Sequence, residues 1–250
     1  MEYRGYDSVG VATRSRGRIQ VRKGVGGVSA VNESVGLDSM KGTIGIGHTR
    51  WASHGGITDI NAHPHSSSTG GLALVHNGIV ENHKELKEEL LSCGFTFESE
   101  TDTEVLANLL QKNYDDAGDI LEAVLRTVRR IRGDYAFVAM FEDGTLAAAR
   151  LHVPLIIGVR GGAHFLSSDV LGFIEKTDDA IYMDSGDVAV IGDAGLDIYD
   201  FEGNRVRRPL TKVSKEFADV YRGEFAHFTQ KEISEQPDTG SGPARGPQTP

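Results

Sequence analysis

Between Glu81 and Gly133 the chain reads ENHKELKEELLSCG (81–94), TDTEVLANLLQKNYDDAG (101–118) and DILEAVLRTVRRIRG (119–133). Apolar residues recur there at three- and four-residue spacing: Leu86, Leu90 and Leu91; then Val105, Leu106, Leu109 and Leu110; then Leu121, Val124, Leu125 and Val128. That period gathers side chains on one side of a helix, so the three stretches predict amphipathic helices with one buried face. Thr101 and Glu104 have the spacing of a capping box, and Gly94 and Gly133 stand where helices stop.

On both sides of this block the pattern changes to short apolar runs between turn residues. SVGVAT (8–13), RIQVRK (18–23), GTIGIGH (42–48) and LALVHNG (72–78) precede it, and YAFVAMF (135–141), TLAAAR (145–150), PLIIGVR (154–160), HFLSSD (164–169), AIYM (180–183) and DVAVIG (187–192) follow. These read as strands, with turns at Asp143-Gly144, Gly161-Gly162 and Glu202-Gly203-Asn204. GVGG (24–27) lacks the Gly-Lys-Ser/Thr ending of a phosphate loop and reads as a hairpin turn. Strands, then helices, then strands predict an α+β fold of packed sheets flanked by helices. The final PDTGSGPARGPQTP (237–250) has no apolar pattern and reads as disordered.

A length of 250 residues fits one large domain. Lysine and arginine total 26 against 36 acidic residues, a net charge of −10 that argues against nucleic acid and anionic membrane as partners. The sequence has no bilayer-length apolar run, and the start MEYRGYDSVG has no signal-peptide pattern. Cys93 is the single cysteine, so no internal disulfide forms, which suits a cytoplasmic setting. A lone cysteine at the end of an amphipathic helix reads as a packing residue.

The chemistry concentrates in GIGHTRWASHGGITDINAHPH (45–65) and the residues just after it. Six of the nine histidines, His48, His54, His63, His65, His76 and His83, fall within this region. Metal binding is disfavoured: no cysteine is near, no helical HxxxH occurs, and His63-Pro64-His65 is expected to point its two rings apart. Arg50 fits better, as a planar fork for a carboxylate, with Trp51 packing on the aliphatic part of a ligand. Such a ligand is an amino acid, and Asp102 is a candidate for its ammonium group, although helix capping also accounts for Thr101 and Asp102. Asn77 and Gly78 offer a side-chain donor and a close backbone approach, the components of an oxyanion hole, while Asn-Gly alone is more often a hairpin turn.

Taken together, EYRGYDSVGVA, HTRWASHG, NAHPH, VHNGIVENH, SETDTE and QKEISEQP resemble, in order and spacing, the glutaminase domain of the glutamine–fructose-6-phosphate aminotransferases, a class II amidotransferase family with an N-terminal nucleophile. The resemblance spans about residues 1–237. Purine-pathway relatives have tyrosine where Trp51 stands. The resemblance implies a four-layer αββα sandwich lacking its first strand and helix, over residues 1–228, with a linker and tail over 229–250. It implies that Arg50, Trp51, Ser53 and His54 hold the glutamine carboxylate side, that His63 lines the site, that Asp102 holds the amine, and that Asn77 and Gly78 form the oxyanion hole. Arg4 and Asp7 fall in a motif that supports the catalytic terminus. No metal or organic cofactor is implied.

In that family the nucleophile is an N-terminal cysteine whose own α-amine is the base. This chain starts at Met1-Glu2, inside the first of these motifs, so the reading expects an N-terminally truncated, catalytically inactive fragment of an enzyme that feeds ammonia from L-glutamine to sugar-phosphate isomerase domains. A homodimer is a further possibility of the family. The alternative is an inactive glutamine-binding or regulatory module.

Overall fold

The computed structural model describes residues 5–52 and 55–213. Arg4, Ser53, His54, the boundary expected near residue 228 and the Gly/Pro-rich end all lie outside the described residues.

A seven-stranded antiparallel sheet forms the centre, in the order β13 (Arg205–Val206), β12 (Gly195–Asp200), β11 (Asp187–Gly192), β7 (Leu146–Leu151), β6 (Tyr135–Phe141), β5 (Leu72–Gly78) and β4 (His65–Ser66). All of β6 is buried, yet it alternates. Tyr135, Phe137, Ala139 and Phe141 pack into one core and Ala136, Val138 and Met140 into another. A strand covered on both faces keeps the two-residue period in direction but loses it in polarity, which explains the unbroken YAFVAMF run.

The first core lies between this sheet and the three expected helices, α2 (His83–Ser92), α3 (Asp102–Ala117) and α4 (Ile120–Val128). Leu86, Leu90, Val105, Leu106, Leu109, Leu110, Val124, Leu125 and Val128 are buried there, with Leu121 packed at its margin. Leu91 is an exception at 52% exposed. One residue on from Leu90 it is turned about 100° around the helix, beyond the narrow stripe that α2 buries. Cys93 is also exposed, contrary to the packing role expected of it. It caps α2, where the helical period ends.

The second core lies between the other face of the large sheet and two smaller sheets. One has the order β2 (Arg18–Val25), β1 (Ser8–Ser15), β3 (Ile44–Arg50), and the other β14 (Leu210–Lys212), β10 (Asp179–Tyr182), β8 (Ile156–Arg160), β9 (Ala163–Ser167). Helix α1 (Val28–Val35) packs Val31 against Gly24 of β2, apart from the inter-sheet core, and completes the αββα layering. The hairpin expected at GVGG is corrected by this helix: Gly24 and Val25 continue β2, Gly26 turns the chain at φ 115°, and Gly27 is the N-cap of α1. A helix of eight residues with one buried position and several weak helix formers leaves little periodic signal.

Candidate functional site

Three elements and one loop converge on a cavity of about 120 Å³. The end of β3 contributes His48, Thr49 and Arg50, the end of β5 contributes His76, Asn77 and Gly78, the start of α3 contributes Asp102 and Thr103, and the loop before β4 contributes His63. Residues two apart on a strand share a face, which is why His48 accompanies Arg50 and His76 accompanies Gly78. The structure therefore brings Arg50, Trp51, His63, Asn77, Gly78 and Asp102 to one place.

Arg50 is buried at 4% exposure and donates from Nη1 to the Gly56 carbonyl at 3.3 Å. Burial draws its guanidinium below the ordinary arginine value, against the attraction of Asp7 and Asp102. Asp7 fixes the strand end that carries it: Asp7 N donates to Arg50 O at 3.2 Å and Asp7 Oδ2 accepts from Ala52 N at 2.9 Å. Trp51 stands at the rim, 60% exposed, its ring centroid 5.5 Å from that of Tyr6.

The capping alternative for Thr101 and Asp102 accounts for only one of the two. Thr101 is the N-cap of α3 and its Oγ1 accepts from Glu104 N at 3.3 Å. Asp102 lies in the first turn, buried, with Oδ2 accepting from Val80 N at 2.7 Å and standing 3.9 Å from His76 Nδ1. Its carboxylate is directed to the cavity wall rather than to its own helix. A helix N-terminus favours its negative charge.

Asn77-Gly78 is likewise no hairpin turn, since the pair ends β5 and the chain runs on to α2. Gly78 has φ 111°, and a Cβ on it would lie 2.0 Å from the Asp134 carbonyl oxygen, so the strand end admits only glycine. Asn77 Oδ1 is 2.9 Å from His48 Nε2. An amide oxygen only accepts, so His48 donates from Nε2, which leaves the amide Nδ2 as the donor end of Asn77.

Four imidazoles surround these groups. The His63 ring centroid is 4.5 Å from that of His48 and 5.1 Å from that of His65, so the two rings of His63-Pro64-His65 converge, contrary to expectation. Only His65 is in a strand, and side-chain alternation does not extend across Pro64. Burial pushes His48, His63, His65 and His76 below the ordinary histidine value; nearby positive charge adds to this at His48, His63 and His65, and Asp102 opposes it at His76. His48 Nδ1, His63 Nδ1 and His76 Nε2 are buried with no hydrogen-bond partner among the described residues. No group of three or more histidine, cysteine or acidic side chains among the described residues is arranged to hold a metal ion. His76 and Thr103, bonded to each other at 3.1 Å between Nδ1 and Oγ1, were not picked out as wall residues by the sequence, though their places beside Asn77 and Asp102 carried the signal.

Buried Arg50, buried Asp102 and the Asn77-Gly78 pair meet at one cavity of an αββα sandwich, and that sandwich is the fold of the amidotransferase class. A family model for the glutamine amidotransferase domain matches residues 50–174, and the chain belongs to that family. Glutamine–fructose-6-phosphate aminotransferases (isomerizing) of Thermus thermophilus and Aquifex aeolicus are 46% and 44% identical to it over 95% of the chain. The chain spans 39% and 40% of the length of those curated relatives. Among solved structures, the glutamine phosphoribosylpyrophosphate amidotransferase of B. subtilis, complexed with ADP and GMP, matches with a TM-score of 0.67 at 29% identity, covering 82% of this chain and 45% of that one. A glutamine aminotransferase class-II domain protein of Silicibacter pomeroyi, at 20% identity and TM-score 0.56, covers 78% of this chain and 91% of its own and shows the same fold.

Proposed function

We propose that the cavity binds L-glutamine as the glutaminase part of a glucosamine-6-phosphate-forming amidotransferase. Arg50 takes the α-carboxylate through paired hydrogen bonds, Asp102 takes the α-ammonium, and the side-chain amide is presented to Asn77 and Gly78. Those donors stabilise the oxyanion that forms when a thiolate attacks the amide carbon; ammonia leaves, and water then hydrolyses the thioester. The family resemblance assigns Ser53 and His54 to the carboxylate side of glutamine, and Arg4 with Asp7 to support of the catalytic terminus. The ammonia acceptor is fructose 6-phosphate in sugar-phosphate isomerase domains, in a cytoplasmic setting that the single cysteine supports. The observation that carries this reading is the meeting of Arg50, Asp102, Asn77 and Gly78 from three elements at one cavity.

Calorimetry with L-glutamine tests it. Arg50→Lys replaces a planar fork with a point charge, and the loss of a charge-assisted bond, about 1.5–3 kcal/mol, weakens binding roughly tenfold or more. Equal affinity in parent and variant removes Arg50 from the site. Cys93 is exposed at the end of α2 and is not among the residues lining the cavity, so it is not the attacking thiol in this reading.

A further inference from the structure

In the antiparallel register of β1, Gly10 stands opposite Lys23 of β2 on one side and His48 of β3 on the other. The loop that carries His63 lies directly over this row. A Cβ on Gly10 would fall 2.2 Å from the His63 carbonyl oxygen and 2.5 Å from Lys23 Cβ, so only a glycine lets the loop sit so low. On the far flank, Lys23 Nζ donates to the carbonyls of Ile60 at 2.9 Å, Ala62 at 2.6 Å and Pro64 at 3.2 Å. An ammonium has three donors and all three meet alternate residues of one loop. On the near flank, the His63 ring meets His48, which holds Asn77.

We infer that Lys23 is a positioning residue for the glutamine site: its ammonium clamps the 60–64 loop onto the β1–β2 hairpin and so sets the His63–His48–Asn77 row that aims the oxyanion donor. The last step of this chain rests on the proposed glutamine reading, while the clamp itself does not. A surface lysine elsewhere on the hairpin would contribute little; Lys23 is half-buried beside a cleft and, among the described residues, has no carboxylate within salt-bridge distance. The charged and titratable groups facing it are Asp59 on the loop, Glu98 before α3, Glu104 on α3, Arg50 on β3 and His65 on β4. Burial pushes the amine down to about 8, with Arg50 acting in the same direction and Glu104, Glu98 and Asp59 opposing.

The test uses the 250-residue chain with imidazole proton and nitrogen NMR, without ligand and then with L-glutamine. His63 and His65 are held neutral well below the ordinary histidine value, so a step in their ring signals near pH 8 reports the lysine and not themselves. The expected result is such a step in the parent and its absence in Lys23→Met, whose ring signals are displaced at pH 7 and whose glutamine dissociation constant rises roughly tenfold. Lys23→Arg keeps donors at every pH, so it abolishes the step near pH 8 while binding glutamine more tightly than Lys23→Met. Unchanged His63 signals in a folded Lys23→Met, or no step near pH 8 in the parent, would overturn the inference, and the second outcome needs no variant to fold. A parent that binds no glutamine yet shows the step sinks the site reading and leaves the clamp standing.

Discussion

At the residue scale the site is a single buried cation among imidazoles kept neutral. His63, His65 and His76 are buried and His48 is half-buried, and a positive charge on any of them would compete with Arg50 for the carboxylate of the proposed ligand. Their depressed values have a consequence for stability. In the unfolded chain these rings titrate near 6.5 (about the free-histidine value), and in the fold they bind protons only at lower pH. Between the two, the unfolded state holds more protons, so the stability is fully present above about pH 6.5 and is lost as pH falls below it. The unfolding free energy from urea denaturation is expected to drop between pH 7 and pH 5, by up to about 1.4 kcal/mol per pH unit for each ring that titrates in this way. His63→Phe, which removes the most crowded ring while keeping an aromatic of similar size, is expected to flatten that slope. A parent whose stability is level from pH 7 to pH 5 would contradict the assignment of neutral buried imidazoles.

At the scale of elements, the N-terminus of α3 decides where Asp102 stands. Thr101 Oγ1 accepts from Glu104 N and lies 3.0 Å from His65 Nε2, and the Glu104 carboxylate accepts from Glu98 N at 2.9 Å and Ser99 N at 2.7 Å. Thr101→Ala removes the cap and the link to β4, so a loss of about 1 kcal/mol in unfolding free energy is expected, together with weaker glutamine binding as Asp102 shifts. Thr101→Ser keeps the hydroxyl and is expected to restore both, as urea denaturation and calorimetry can show. The Thr101–Glu104 spacing was legible in the sequence because a cap is a local device, and α2, α3 and α4 were legible because each buries a face against the large sheet. Helix α1 was not, since a single buried valine makes no stripe. The exposure of Leu91 and Cys93 depends on where α2 ends and how narrow its contact is, which its composition does not encode. Arg50, Asp102, Asn77 and Gly78 were legible as a set through their motifs. The imidazole row was not, because it depends on a loop folding back over Gly10 from about fifty residues away in sequence.

At the scale of the whole molecule, the two small sheets face the same large sheet; among the described residues the ladder partner of β3 is β1 and that of β9 is β8. A groove of about 280 Å³ runs between them, with Gly47, His48 and Thr49 on one bank, Leu166, Ser167 and Ser168 on the other, and Val75, Asn77, Ala136 and Val138 as its floor. Apolar side chains on its floor, Val75, Ala136 and Val138, give an added segment a surface to bury. The groove shares His48, Thr49, His76 and Asn77 with the cavity proposed for glutamine, so a segment laid in it would bring its end beside Asn77. The 250-residue polypeptide, whose one thiol is on Cys93, is expected to bind glutamine and release no ammonia above slow background. Joining a family-type segment that begins Met-Cys-Gly ahead of residue 1 is expected to raise the urea midpoint, by covering the apolar floor of the groove, and to create glutaminase activity once the methionine is removed. The two readouts are separable because burial needs only a fit to the groove, whereas hydrolysis also needs Arg50, Asp102 and the Asn77-Gly78 pair at reacting distance from one glutamine. A fusion that gains stability, exposes its cysteine and still hydrolyses nothing would favour the inactive binding module, since the pocket would then hold glutamine in a geometry that no nucleophile in the groove can use.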